Sequence, residues 1–332
     1  MNESEYRRYG LLADAAELYY IRGLQQAEIA ERMKISRSLV SRLISEAQAK
    51  GIVSISINRF FERNTELESE LSSRFGDTEV CVLRLPGSLD SGDRKRRLAQ
   101  FAADIIHTGL PQAGLLGFSF GTTLLELVEA LAIKSPAEVD CVQLTGSLGA
   151  SGAAFDGHQL VQKLAAAWNR RALYLHAPFL VKSEEMRREL FLSRSNRENA
   201  AACSRLDAVV VGLSPLGTSR PEPGCSSALL AGGHITAEDV ELMRSRGVVG
   251  DIGAYSVDAD GRPAGDDSLV RMIGVDAAAF RAIPLRYGIA AGEHKREIVS
   301  AALKGGWFST LFLDEAAASG LAGDSRRAAA QG

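Results

Sequence analysis

Two short stretches of this 332-residue chain hold residues whose types and spacing could do chemistry. The first is Ser36-Arg37-Ser38-Leu39-Val40-Ser41-Arg42-Leu43, where hydroxyls and guanidiniums recur three and four apart between apolar residues. At helical spacing Arg37, Ser38, Ser41, Arg42 and Ser45 share one outward face, and such groups suit base edges and phosphates in a DNA groove. The second is Gly114-Leu115-Leu116-Gly117-Phe118-Ser119-Phe120-Gly121-Thr122-Thr123-Leu124. An apolar strand there ends in glycines and threonines and passes straight into a helix. The free N–H groups of a helix start suit an anion, and Ser119, Thr122 and Thr123 add hydroxyl donors. A phosphate, or the hydroxyls of a sugar, would fit that turn.

The same residues carry a competing pattern. Gly117-Phe118-Ser119-Phe120-Gly121 matches the G-x-S-x-G nucleophile elbow in its strand–turn–helix setting. A serine hydrolase would need an acid and a histidine later in the chain. The histidines after Ser119 are His158, His176, His234 and His294, and no H-G-G oxyanion motif precedes it. Hydrolase chemistry, or an isomerase-like activity on sugar phosphates, is therefore the second reading of this loop. Other loops add polar groups. Thr145-Gly146-Ser147-Leu148-Gly149 follows the next strand and would lie beside the first loop, or be a plain strand-to-helix turn. Gly250-Asp251 and Asp258-Ala259-Asp260-Gly261 are read as loops bearing carboxylates. The latter lacks the later Glu of a calcium loop and reads as a hairpin turn. Asp251 is the better acceptor for ligand hydroxyls. Lys295, at a helix start after Gly292-Glu293-His294, could meet a phosphate or simply be solvated.

The elements that must position these residues begin with a helical module. Apolar spacing predicts helices over 6–21, 26–33 and 36–50, with Gly23 and Gly51 as stops. Only Lys34-Ile35 separates the last two, too short for an ordinary antiparallel pair, so they must cross steeply as a helix-turn-helix. Ser36 is placed to cap the third helix. Lys34 stands where glycine often does, which costs roughly 1 kcal/mol if the residue is left-handed. Residues 31–59 carry six basic side chains against two acidic ones in a chain of net charge −3, a local excess fit for phosphates. Strict alternation over 53–57 predicts a short strand like the edge of a winged module.

A helix from Thr65, with Leu67, Leu71 and Phe75 on one stripe, either packs onto a second domain or serves as a hinge or dimer helix. Beyond Thr78, strands are predicted over 79–85, 115–120, 139–144, 172–176, 208–213, 271–275, 285–289 and 310–313. Helices are predicted over 94–107, 122–131, 158–168, 183–193 and 295–304. This alternation implies a doubly wound α/β fold, its parallel sheet covered on both faces and its ligand beyond the carboxyl ends of the strands.

Composition sets the frame. With 46% hydrophobic and 24% charged residues the chain is not disordered throughout. No apolar run is long enough for a membrane helix, and the polar start is unlike a signal peptide. Cys81, Cys141, Cys203 and Cys225 form no C-x-x-C pair and read as small buried residues of a reducing, cytoplasmic protein. The expected organisation is a DNA-binding domain at 1–58, a linker helix at 59–77, an effector domain at 78–322 and a disordered tail at 323–332. No metal, cofactor or membrane partner is expected.

At this point the residues carry a family. Tyr19-Tyr20-Ile21-Arg22-Gly23-Leu24-Gln25-Gln26-Ala27-Glu28-Ile29-Ala30, the run Ser36 to Leu43 and Gly51-Ile52-Val53 resemble the N-terminal module of the SorC family of sugar-responsive transcriptional regulators. The resemblance continues through Gly117 to Thr123, Gly250-Asp251 with Asp258 and Gly261, and Gly292 to Lys295. It ends with Ala301-Ala302-Leu303-Lys304-Gly305-Gly306 and Leu313-Asp314-Glu315. It implies a non-enzymatic regulator that forms dimers or tetramers on palindromic double-stranded operator DNA. Its effector domain would be similar to the phosphosugar isomerase and CoA-transferase fold. Gln26, Ser36, Arg37, Ser38, Ser41 and Arg42 would contact DNA. Ser119, Gly121, Thr122, Thr123, Gly146, Ser147, Asp251 and Lys295 would hold a sugar, polyol or phosphosugar. Two departures bear on the ligand. Phe118 and Phe120 make the first loop aromatic, and no arginine stands at Leu144 or Thr145 before Ser147, which favours a monophosphate or an unphosphorylated polyol over a bisphosphate.

Overall fold

The computed structural model describes residues 3–53, 60–112, 114–149, 154–217, 228–231, 233–253, 255–264 and 272–322, and the chain divides into two units, Met1–Phe60 and Phe61–Gly332. The smaller unit opens with α1 (Glu3–Ala16), which runs into a π-helical turn, Glu17–Ile21, where the apolar spacing suggested one continuous helix. α2 (Gln26–Met33) and α3 (Arg37–Ala49) follow. Leu12, Ala15, Leu43 and Ala47 form one core of the unit and Ile29, Val40 and Ile44 another.

Local chemistry sets the turn. The Gln25 N–H donates to the Glu28 carboxylate at 2.7 Å and so starts α2 with a capping box. α2 stops at Lys34, which is left-handed at φ 55°, ψ 45°. The Ile35 N–H then donates to the Ala30 carbonyl at 3.0 Å. The Ser36 hydroxyl accepts from the Leu39 N–H at 3.2 Å and opens α3, as its position predicts. Residues 54–57 of the expected wing strand lie outside the described residues.

The larger unit begins with α4 (Thr65–Phe75), read from sequence as a linker. Its apolar stripe needs a partner and finds it here: Leu71 is fully buried in the core of this unit. Glu68 is buried as well, accepting from Arg63 at 2.8 Å and from the Val82 N–H at 2.8 Å. The remaining elements are β1 (Glu79–Leu83), α5 (Ser91–Gly109), β2 (Gly114–Phe118), α6 (Thr122–Ala132), β3 (Val139–Gln143), α7 (Gly157–Trp168), β4 (Ala172–Leu173), α8 (Glu184–Phe191) and α9 (Arg197–Cys203). Then come β5 (Ala208–Pro215), α10 (Ala228–Ala231), α11 (Ala237–Ser245), β6 (Val248–Ile252), β7 (Tyr255–Asp258), α12 (Ala277–Ala282), β8 (Leu285–Ala290), α13 (Arg296–Lys304), β9 (Thr310–Asp314) and α14 (Glu315–Ala322).

Among the described residues the main sheet runs β1-β9-β8-β5-β2-β3-β4, every pair parallel, with an antiparallel β6–β7 ribbon on the end of β5. One face is covered by residues such as Leu98, Leu127 and Leu160 of α5, α6 and α7. The other is covered by residues of α4, α9, α12, α13 and α14, among them Cys203, Phe280, Ile298 and Ala317. The doubly wound expectation is met, because strands buried on both faces need helices on both sides. Sequence patterning missed β6 and β7, and with them the setting of Asp251, which lies within β6 rather than on a loop. It also overextended β4, whose expected stretch 172–176 pairs only at Ala172 and Leu173. No strand forms at 272–275; Met272 and Gly274 make isolated bridges to Leu180 and Thr145, and position 271 lies outside the described residues. The expected hairpin turn is present: Asp258 accepts from the Asp260 and Arg262 N–H groups, each at 2.9 Å. Cys81, Cys141 and Cys203 are buried, and burial pushes their thiols up to about 12. Cys225 and the expected tail at 323–332 lie outside the described residues.

Candidate nucleic-acid interface and effector site

In the smaller unit, burial of Val40, Leu43, Ile44 and Ala47 turns the opposite face of α3 outward. Arg37, Ser38, Ser41, Arg42 and Ser45 are all exposed. Two other arginines of the unit are taken, Arg8 by Glu46, which also receives Lys50, and Arg22 by Glu17, while Arg32 on α2 is exposed. Among the described residues Arg37 and Arg42 have no acidic or hydrogen-bonding partner. Two guanidiniums with all donors free, flanked by short hydroxyls, are complementary to phosphate oxygens and base edges. Ser36 is exposed, yet its hydroxyl caps α3 and lies 3.0 Å from the Ser38 hydroxyl. Gln26 is half-buried at the first position of α2.

In the larger unit, the direction of chain crossing reverses between β2 and β5. The chain passes from β2 to β3 on one side and from β5 to β8 on the other, so the crevice at their carboxyl ends is the switch point where ligands of such sheets bind. The Ser119–Gly121 turn forms one wall. Gly121 takes φ 134°, a backbone setting that L side chains rarely adopt, and holds its place by donating to the Phe155 carbonyl at 3.0 Å. α6 then starts with no side-chain cap, leaving the first-turn N–H groups of Thr122 and Thr123 open. Thr122 is exposed and Thr123 buried. The Ser119 hydroxyl is buried, 1% exposed for the residue, and has no hydrogen-bond partner among the described residues. Phe118 and Phe120, the two aromatic residues of this loop, are both buried, the second edge-on to Phe179 at 5.1 Å.

The turn after β8 supplies the opposite wall. Gly292 donates to Asp314 at 2.9 Å, and a short 3-10 turn, Glu293–Lys295, leads into α13. Lys295 is buried. Asp314, fully buried at the end of β9, also accepts from Arg94 at 2.8 Å and from the Ala317 N–H at 3.0 Å. The His294 imidazole is pushed down to about 4 by burial first, then by Lys295 and Lys95, with Asp314 opposing them. Lys95 donates to the Thr122 hydroxyl at 3.3 Å. Thus Lys95 links Thr122 to the turn that holds His294 and Lys295; sequence reasoning had named His294, as a candidate base of a hydrolase and in the family motif, but had not singled out Arg94 or Lys95. Only the positions of Arg94 and Lys95 in the first turns of a helix after a strand hinted at them.

Asp251 is buried and pairs across from Ser214 at the end of β5; its strand β6 packs on α13, which Lys295 precedes. Gly146 and Ser147 serve the framework. A Cβ at Gly146 would lie 2.2 Å from the Pro178 carbonyl oxygen, so glycine there permits a close backbone approach. The Ser147 hydroxyl donates to Asp156 at 3.0 Å, and Asp156 caps α7 by accepting from the His158 N–H at 2.9 Å.

The segment that follows the smaller unit is also tied to this edge. Asn64 donates to Val82 through its N–H at 2.8 Å and to Glu315 through its side chain, and Arg84 bonds Glu62 at 2.7 Å. Glu315 directly follows Asp314 in the chain. Among the described residues no group of metal-ligating side chains and no helix long and apolar enough to cross a membrane is present.

Comparison with known proteins gives two family matches. Residues 59–322 match the family described as "Putative sugar-binding domain", and residues 16–50 match "Sigma-70, region 4". The chain is 30% identical over 310 residues to the transcriptional regulator LsrR of Klebsiella pneumoniae, covering 93% of this chain and 91% of that one. It is 28% identical over 314 residues to the deoxyribonucleoside regulator of Bacillus subtilis, covering 95% and 97%. Among solved structures it is similar to the full-length sorbitol operon regulator SorC of Klebsiella pneumoniae, with 25% identity, a TM-score of 0.68 and coverage of 95% of this chain and 99% of that one.

Proposed function

The chain belongs to the SorC-type family of sugar-binding transcriptional regulators, and from that premise we propose that α3 reads operator DNA while the switch-point crevice binds the effector that controls it. Arg37, Ser38, Ser41 and Arg42 contact bases and phosphates, Ser36 holds the helix start in register, and Gln26 meets the DNA backbone. Gly121, Thr122, Thr123 and Lys295 receive an anionic group, while Ser119 and Asp251 meet hydroxyls of a sugar, polyol or phosphosugar. Gly146 and Ser147 shape the neighbouring wall. The protein acts in the cytoplasm as a dimer or tetramer, so that two copies of α3 face two half-sites.

We read the effector domain as non-catalytic. A nucleophilic serine needs a base within hydrogen-bond reach, and the Ser119 hydroxyl has no partner at all among the described residues. The observation that carries the effector reading is the uncapped start of α6, with Lys95 on the Thr122 hydroxyl, at the sheet's switch point. Occupancy there would pull on the Arg94–Asp314 pair and, one residue on, on Glu315 and its bond to Asn64. A coupling of about 1–3 kcal/mol suffices to shift operator affinity 5- to 150-fold.

The test pairs a thermal-shift screen of the full chain against sugars, polyols and their phosphates with gel-shift assays on operator DNA. A hit should stabilise the protein and change DNA binding. In Thr122→Val the effector response should vanish while effector-free DNA binding stays. Loss of both would make Thr122 structural and remove the reading's main support.

A further inference from the structure

Asp156 caps α7, a role that other short polar residues fill as well, yet its setting differs from that of the other capping aspartates. Asp90 and Asp276 start α5 and α12 by accepting from the Asp93 and Ala279 N–H groups, each at 2.8 Å, and both are exposed, so their charge stays in water. Asp156 is 5% exposed. A carboxylate taken out of water costs free energy unless several donors meet it, and an uncharged asparagine or serine would start the helix equally well. Burial of a charge here therefore serves something besides α7.

The second oxygen shows what that is. One carboxylate oxygen accepts from the His158 N–H at 2.9 Å, which is the cap. The other accepts from the Leu148 N–H at 2.7 Å and from the Ser147 hydroxyl at 3.0 Å, both on the loop after β3. The residues on either side of Asp156 reach the loop after β2. The Phe155 carbonyl accepts from the Gly121 N–H at 3.0 Å, and a Cβ at Gly157 would lie 3.0 Å from the Ser119 carbonyl oxygen. Three consecutive residues thus hold both candidate ligand loops, 119–121 and 146–149.

The two loops are not alike. The Gly146 N–H donates to the Ile273 carbonyl at 2.8 Å, that of Ser147 to the Ala177 carbonyl at 2.9 Å and that of Gly149 to the Ser147 hydroxyl at 3.2 Å. With Leu148 on Asp156, every N–H of the second loop is used inside the protein, whereas the start of α6 is uncapped. The second loop is a wall of set position rather than a nest of donors. Each loop also holds a buried hydroxyl without a hydrogen-bond partner among the described residues, Ser119 on the first and Thr145 at the root of the second. Such groups cost free energy until something bonds them. A ligand that meets both loops needs them at a fixed separation.

We propose that Asp156 is a positioning residue of the effector site: its loop-facing oxygen fixes the 146–149 wall against the 119–121 turn, so that the crevice presents both to one sugar or polyol. This rests on the effector reading above. Cap and wall can be separated by Asp156→Asn. The amide keeps its oxygen toward the His158 N–H and then turns its NH2 toward the Leu148 N–H, donor against donor.

The test uses the full chain, with ribose 5-phosphate, glucose 6-phosphate and sorbitol as probes in calorimetric titration and the tightest of them carried forward. Asp156→Asn should weaken that probe about tenfold, the loss of roughly one charge-assisted hydrogen bond's worth of order in the wall. Asp276→Asn, at an exposed cap on α12, should leave its affinity unchanged. Hydrogen exchange read by mass spectrometry separates positioning from mere support. In wild-type protein the bound probe should slow exchange in peptides covering 117–123 and 145–149 together, and in Asp156→Asn in 117–123 alone. Wild-type affinity in Asp156→Asn would make Asp156 a cap only, and would leave the effector reading standing. Slowing confined to 117–123 in wild-type protein refutes the assignment without any variant that must fold. Binding of none of the probes by wild-type protein overturns the effector reading and this proposal with it.

Discussion

Replacing Arg42 with alanine separates a DNA-reading helix from a merely solvated one. Arg42 is exposed on α3 and has no partner among the described residues, so its removal breaks no contact within the protein and should leave stability within about 0.5 kcal/mol. If its guanidinium neutralises one phosphate, the slope of log affinity against log salt loses about 0.9 per protomer. Between 50 and 200 mM salt, a fourfold change, that slope amounts to roughly 3.5-fold in affinity per protomer. The deficit of the variant should therefore shrink by that factor across the series, or by its square for two half-sites. The control is Arg8→Ala, because Arg8 is occupied by Glu46 and should leave the slope untouched. Fluorescence anisotropy on a labelled operator, over at least four salt concentrations, reads both quantities. Equal slopes for wild type and Arg42→Ala, with matched thermal stability, would refute the placement of this face on DNA.

Other outcomes follow from the same geometry. Lys34→Gly relieves a left-handed side chain while keeping the backbone bonds of the turn, and the smaller unit should gain on the order of 0.5–1 kcal/mol, seen as slower hydrogen exchange in α2 and α3. Asp314→Asn leaves the Arg94 guanidinium, 16% exposed, without its buried counter-charge and should cost roughly 3–5 kcal/mol in denaturant titration; a loss below 1 kcal/mol would mean that water already serves Arg94. His294 has its folded pKa lowered to about 4 against an ordinary value near 6.5, so the unfolded chain takes up a proton first. Its contribution to stability is fully present above pH 6.5 and is lost as pH falls toward 4, a dependence that His294→Gln should flatten. An anion beside the ring favours the proton, so sulfate, whose charge is constant over this range, should bind more tightly at pH 5 than at pH 7, and equally at both in His294→Gln.

Much of the molecule was legible in the chain because it is written in local terms. Two residues between apolar helical patterns, with a serine able to cap the second, leave few arrangements other than the steep crossing of α2 and α3. Apolar strands alternating with amphipathic helices have few stable solutions besides a parallel sheet covered on both faces. The glycine–threonine start of α6 follows from backbone chemistry: Gly121 at φ 134° and an uncapped first turn.

Tertiary structure decided what each polar group is for. Asp251 sits in a strand because β5 extends past the main sheet and offers an edge for β6, a pairing that no local period announces. Gly146 is required by the approach of Pro178, thirty-odd residues away, and Ser147 is spent on the cap of α7. Ser119, a candidate nucleophile by motif, is buried without a base. Lys95 is one of 38 basic residues, and nothing adjacent distinguishes it. Its position follows from parallel strand order, which carries the start of α5 to the edge where α6 and the turn before α13 also begin. Periodicity and capping act over a few residues and can be read from the chain. The meeting of Lys95 with the Thr122 hydroxyl, 27 residues on, and with the imidazole of His294, some 200 residues on, depends on how the crossovers are wound, and only the folded sheet specifies that.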